Sequence, residues 1–147
     1  MSPPTDGRRI LAVDWGERRI GLAISDPRGV IASPAGFIAR RAGKRPPIAK
    51  LIARAEELEA TGFVLGLPLD GNGEDTPRAK EVRAVADELQ RRTRFPVELV
   101  DERYTTAEAR RAVRELGGRP ADRRGDIDAL AATVLLQHVL NRHSHAS

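Results

Sequence analysis

A chain of 147 residues with 40% hydrophobic side chains has the size of one domain and enough apolar residues to bury a core. It has no cysteine, which excludes disulfides, a thiolate nucleophile and cysteine zinc sites, and it has no apolar run near the length of a membrane span. The net charge of +4 permits a polyanionic partner, whereas an aromatic content of 3% argues against a stacking platform for single-stranded bases.

The expected organisation is a loose segment over 1–7, one domain over 8–142 and a tail over 143–147, in a cytoplasmic protein with no membrane partner. Arg9 to Val13 reads as the first strand, with a turn expected at Asp14-Trp15-Gly16. Arg19 to Ser25 reads as the second strand, and Asp26-Pro27-Arg28-Gly29 as a turn. Val30 to Ile38 reads as a third strand, kinked or at an edge because of Pro34. Two hairpin-linked strands imply an antiparallel start to the sheet. Pro47 suits a helix start, and Ile48, Leu51, Ile52, Ala55 and Leu58 recur at helical spacing, with Gly62 as the stop. Phe63 to Leu67 is nearly all apolar, as in a buried parallel strand. A loop over 68–76 precedes a second helix opened by Pro77, with Val82, Val85, Ala86 and Leu89 on one face. Val97 to Asp101 reads as a strand. Thr105 or Thr106 can cap the next helix, which Gly117 and Gly118 stop. Asp126 is the expected cap of a last, alanine-rich helix. The sum is an α/β fold, a mixed central sheet flanked by helices.

Asp14, Asp101 and Glu102 stand at predicted strand ends, and Asp128 lies near the start of the last helix. Sites in open sheets gather beyond the carboxyl ends of the strands, so these remote positions can converge. Clustered carboxylates repel one another unless a positive charge joins them. The chemistry that suits such a set is a hard cation, Mg²⁺ or Mn²⁺. Two ions roughly 3.5–4 Å apart can activate water and stabilise a leaving oxygen, which hydrolyses a phosphodiester with no His, Ser or Cys nucleophile. The bland alternative for a lone Asp after a strand is a turn or cap. Asp101 is either a ligand or the salt-bridged neighbour of Glu102.

Basic residues near these acids are candidates for contact with a phosphate backbone: Arg18, Arg19, Arg103, Arg123 and Arg124, and the connector residues Arg40, Arg41, Lys44 and Arg45. The competing reading of any single Arg is a solvated surface side chain. Thr105 and Thr106 are helix-cap candidates first and phosphate hydrogen-bonders second. Gly16, Gly66, Pro68 and Gly71 are expected to shape the loops that let a substrate approach. Trp15 is expected to pack against the sheet. The histidines look incidental.

Four segments carry a family resemblance. They are Asp14-Trp15-Gly16-Glu17-Arg18-Arg19-Ile20-Gly21-Leu22-Ala23 with Ser25-Asp26, Gly66-Leu67-Pro68 with Gly71, Asp101-Glu102-Arg103-Tyr104-Thr105-Thr106, and Asp128-Ala129-Leu130-Ala131-Ala132. Together, in this order, they resemble the YqgF family, also called the Holliday junction resolvase RuvX family. The resemblance implies an RNase H-like fold, an acidic triad of Asp14, Glu102 and Asp128, and a metal site like that of junction resolvases. It also implies a nucleic-acid substrate, either the 5′ end of precursor small-subunit ribosomal RNA or branched DNA, with ribosomal or assembly-factor partners. Cutting a four-way junction symmetrically would need two sites, hence a homodimer or sequential nicks. Trp15 stands where the family usually carries a smaller residue. Two other functions compete: a non-catalytic nucleic-acid or ribosome-assembly module, and a nucleotide-binding ATPase-like protein. The chain has no P-loop lysine motif to support the latter.

Overall fold

The computed structural model describes residues 9–16, 18–41, 44–102 and 124–146. Five strands form one sheet: β1 (Ile10–Trp15), β2 (Arg19–Ser25), β3 (Ala32–Ala39), β4 (Gly62–Leu67) and β5 (Val97–Asp101). Their order is β3-β2-β1-β4-β5. β1, β2 and β3 form an antiparallel meander, and β4 and β5 continue parallel to β1. Helices α1 (Ile48–Glu57) and α2 (Pro77–Thr93) connect the parallel strands, and α3 (Arg124–Ala146) follows. This is the mixed sheet with flanking helices that the sequence predicts.

Strand alternation divides the core in two. Leu11, Val13, Trp15, Ile20, Leu22, Ile24, Phe63, Leu65 and Leu67 face α1 and α2. Ala12, Ala23, Val64 and Val100 face Ala132, Leu135, Leu136, Val139 and Leu140 of α3. Every residue of β4 is buried, which is why its sequence is an unbroken apolar run. The small side chains of Ala12 and Ala23 let α3 lie close to the sheet. Each fully buried leucine contributes about 1.5–3 kcal/mol, so packing of one face holds this helix in place.

The differences from the sequence reading have local causes. β1 runs two residues past Val13, because Asp14 and Trp15 pair with Gly21 and Ile20 of the returning strand. Gly62 does not stop α1. It opens β4, and the left-handed position after α1 is taken by Glu59 at φ 57°. α3 begins at Arg124, so Asp126 lies inside the helix and is not its cap. β3 is the edge strand, and Pro34 sits at its register shift against β2. Thr76 caps α2 by accepting the Ala79 N–H at 3.1 Å, with Pro77 in the first turn. The expected helix after Thr105 lies outside the described residues.

Candidate functional site

Asp14 alternates with Ala12 and so lies on the α3 side of the sheet. Its Cα partner on β2 is Gly21. On the other flank Val13 partners Leu65, so Gly66 is the next residue of β4 beside Asp14. A glycine therefore stands on each side of this carboxylate. A Cβ at Gly21 would overlap the Asp128 carbonyl of α3. A Cβ at Gly66 would come within 2.5 Å of Glu102 Oε1 and 2.9 Å of its Cγ. The two missing side chains admit the α3 backbone at Asp128 from one side and the Glu102 carboxylate from the other. Asp14, the Glu102 side chain and the Asp128 backbone, remote in sequence, thus come to one row of the sheet. Gly66 and Gly21 do this by leaving space, a role the expected loop-shaping did not include for either.

Asp101 goes elsewhere. It partners Leu67, whose side chain is in the α1/α2 core, so it lies on the opposite face from Asp14. Asp128 Oδ2 accepts the Arg19 Nε–H at 3.0 Å, with the two side chains 33% and 28% exposed. Arg19, expected at a phosphate or on the surface, is engaged with an acid of the site.

Arg40 is likewise turned inward. Its Nη1 and Nη2 donate to Glu81 Oε1 and Oε2 at 2.9 and 3.1 Å, and only 6% of its side chain is exposed. Its guanidinium lies over the Trp15 ring, 4.9 Å from the centroid. The Trp15 Nε1–H donates to the same Glu81 Oε1 at 2.6 Å. The Arg40 guanidinium and the indole N–H hold the Glu81 carboxyl below the usual carboxylate range, against the opposing effect of burial. Trp15 packs against the sheet as expected, at 3% exposure, but nothing in the pattern of α2 singles out Glu81. Arg18, Arg41, Lys44 and Arg45 are exposed and keep their outward reach.

Gly16 has no room for a Cβ, which would overlap the Arg19 carbonyl, so it permits the tight path from β1 to β2. The loop after Pro68 closes on itself. Asp70 Oδ1 accepts the N–H groups of Asn72 and Glu74 at 2.8 and 2.9 Å, and the Thr76 hydroxyl donates to the Pro68 carbonyl at 2.6 Å. A Cβ at Gly71 would meet only open space. His143 Nε2 lies 3.0 Å from Glu98 Oε1, and Arg142 pairs with the same carboxylate, tying the end of α3 to β5. Arg103, Thr105, Thr106 and Arg123 lie outside the described residues, as does the side chain of Arg124 at the start of α3.

Among the described residues, no group of three His, Cys, Asp or Glu side chains closes around a common point that could hold a metal ion. The donor set of Asp14, Glu102 and Asp128 is nonetheless all carboxylate, the class that hard divalent cations take. Glu102 Oε1 is a buried oxygen in the gap over Gly66. The residues fit such a cation in donor chemistry and in backbone placement, without forming a ready-made cage. The described residues contain no helix long and apolar enough to cross a membrane.

Comparison with known proteins shows the family and the fold. The profile of the RuvX family, described as Holliday junction resolvase, matches residues 8–142. A Roseiflexus sp. (strain RS-1) protein bearing the name of a pre-16S rRNA nuclease is 39% identical over 133 residues, covering 90% of this chain and 94% of its own. A protein of the same name from Chloroflexus aurantiacus is 42% identical over 132 residues, covering 90% and 86%. RuvC of Thermus thermophilus has the same fold, with a TM-score of 0.58 at 13% identity over 93% of this chain and 96% of that one. The RuvC of T. thermophilus solved with a Holliday junction substrate superposes with a TM-score of 0.56, also at 13% identity.

Proposed function

The chain belongs to the RuvX family of Holliday junction resolvases, and from that premise we propose that it is a metal-dependent endonuclease that trims precursor small-subunit ribosomal RNA. The observation that carries the proposal is the row Gly21-Asp14-Gly66, with Asp128 brought to one flank and Glu102 to the other. Asp14, Glu102 and Asp128 would hold a divalent cation, Mg²⁺ or Mn²⁺, with a second ion joining when substrate phosphate supplies further oxygens. The bound cation would supply positive charge that makes water more acidic and offsets charge on a leaving oxygen. The protein's own part is to fix the carboxylates on a sheet buried on both faces and to grip the phosphate backbone. Arg18, Arg41, Lys44 and Arg45 are the described residues with the exposure for that grip. Arg103, Thr105, Thr106, Arg123 and Arg124 are further candidates from the sequence.

The relatives at 39% and 42% identity carry the pre-16S rRNA name, whereas the junction-bound neighbour is 13% identical. This favours RNA over a four-way DNA junction. A second reading is a non-catalytic assembly module that binds the same RNA, favoured by the lack of a closed three-acid group among the described residues.

The deciding experiment is Mn²⁺-dependent cleavage of precursor small-subunit ribosomal RNA and of a four-way DNA junction, by the wild-type protein and by Asp14→Asn. The expected outcome is cleavage of the RNA, lost on substitution. Junction cleavage lost on substitution would change the substrate. Binding of RNA with no cleavage of either would favour the assembly module.

A further inference from the structure

Glu81 is on α2, outside the acidic row, and it holds two segments at once. One is Trp15, the residue next to Asp14, through the indole N–H at 2.6 Å. The other is Arg40, through both guanidinium nitrogens at 2.9 and 3.1 Å. Arg40 adds three contacts of its own. Its ring-face approach to Trp15 is 4.9 Å, its Nη1 donates to the Gly16 carbonyl at 3.4 Å, and its backbone N–H donates to the Arg18 carbonyl at 2.8 Å. Trp15, Gly16 and Arg18, just beyond Asp14, are therefore held between α2 and the end of β3. Immediately after Arg40 comes the exposed basic run of Arg41, Lys44 and Arg45.

We propose that Glu81 and Arg40 are positioning residues: through Trp15 they fix Asp14, and through the chain after Arg40 they fix the basic run relative to it. This rests on the nuclease reading above. A bidentate guanidinium–carboxylate pair resists rotation as well as separation. Sharing one carboxylate oxygen between Arg40 and the indole locks the ring of Trp15 in place. Trp15 follows Asp14 in β1 with its indole on the opposite face of the sheet, so the brace would reach Asp14 through the backbone the two residues share. Loss of groups that orient metal-holding carboxylates costs about 10–100-fold in metal affinity or activity.

Trp15 is the single tryptophan of the chain, so its emission reports the brace without reference to catalysis. The test compares wild type, Glu81→Ala, Glu81→Gln and, as a control on the same helix, Arg83→Ala. Three quantities are read: emission maximum, quenching of Trp15 by added Mn²⁺, and single-turnover cleavage against RNA affinity. In Glu81→Ala the emission should move to longer wavelength, Mn²⁺ affinity should fall about tenfold or more, and cleavage should slow while RNA affinity changes little. Glu81→Gln keeps one oxygen, able to accept from both the indole and Arg40 Nη1, but puts an amide donor where Arg40 Nη2 had its acceptor, and should recover part of each. Arg83→Ala should match wild type.

Unchanged emission in Glu81→Ala would overturn the brace. Shifted emission with wild-type Mn²⁺ affinity would overturn the positioning role. Wild-type protein quenched by Mn²⁺ yet inert toward RNA would remove the nuclease reading alone, with the Mn²⁺ affinities still deciding the role of Glu81. A wild type unaffected by Mn²⁺ would overturn both.

Discussion

The carboxylate of Glu102 lies in the space left by the absent side chain of Gly66, close enough that a methyl group there would come within 2.5 Å of Oε1. Gly66→Ala should therefore push Glu102 out of the row beside Asp14. Because the atoms displaced, Oε1 and Cγ, belong to one side chain and not to backbone, the fold should survive once that side chain rotates away. Mn²⁺-dependent cleavage is expected to fall about 10–100-fold, with a thermal midpoint within a few degrees of wild type. A fully active Gly66→Ala protein would show that the position of Glu102 is unimportant.

Gly21 is a different case, since its space is filled by backbone. A Cβ there overlaps the Asp128 carbonyl and would sit 3.0 Å from the Ala129 nitrogen, and a helix backbone cannot swing aside. Gly21→Ala should lift α3 off β2 and lower stability by about 1–3 kcal/mol or more, as overpacked cores do. Urea unfolding with an unchanged slope would measure it.

Arg19 is expected to give opposite signs in two measurements. Its pair with Asp128 is about one-third exposed on each side, so Arg19→Gln should cost less than about 1 kcal/mol of stability. The same substitution removes a positive charge from beside a proposed cation ligand. Mn²⁺ should then bind a few-fold more tightly, because like charges no longer repel (about 1 kcal/mol at water-like dielectric). Isothermal titration of the two proteins checks the direction, and weaker binding would contradict it.

The Glu81 brace also predicts a pH dependence. Arg40, and after it the indole of Trp15, lowers the folded-state pKa of Glu81. A group whose folded pKa is depressed stabilises the protein fully above its unfolded value and loses that contribution as pH falls through the folded one. The stability advantage of wild type over Glu81→Gln should be constant from neutral pH down to about 5, begin to fall as pH drops through the ordinary glutamate range of about 4, and be gone only once pH has passed below the lower folded-state value. Denaturant titrations across pH 3–7 would reveal it.

Most of the sheet was readable from the sequence because burial on both faces leaves apolar runs that end at polar turns. β4 is the plainest case. The end of β1 was not, since Asp14 and Trp15 look like a turn until Gly21 and Ile20 are known to lie opposite them. The candidate acids stand out in the sequence because Asp14 and Glu102 follow apolar strands and Asp128 lies near the start of an alanine-rich helix, and the family resemblance groups them. Their partners do not stand out, for a physical reason. Arg19 and Asp128 are 109 positions apart, and Trp15 and Glu81 are 66 apart, so no local periodicity links them. Arg40 in a basic connector reads as a candidate for contact with a phosphate backbone, and only the tertiary fold sets it against Trp15 and Glu81. Gly21 and Gly66 matter for what they lack, which becomes visible only once the groups entering their space are placed.

The last helix carries a consequence for how the protein comes into being. α3 follows every strand in the chain, covers Ala12, Ala23, Val64 and Val100, and brings Asp128 with it. Domains form as their segments leave the ribosome, N-terminal parts first. A chain still lacking α3 has an uncovered sheet face and only two of the three proposed cation ligands, so the core closes and the proposed acidic set is completed in one event.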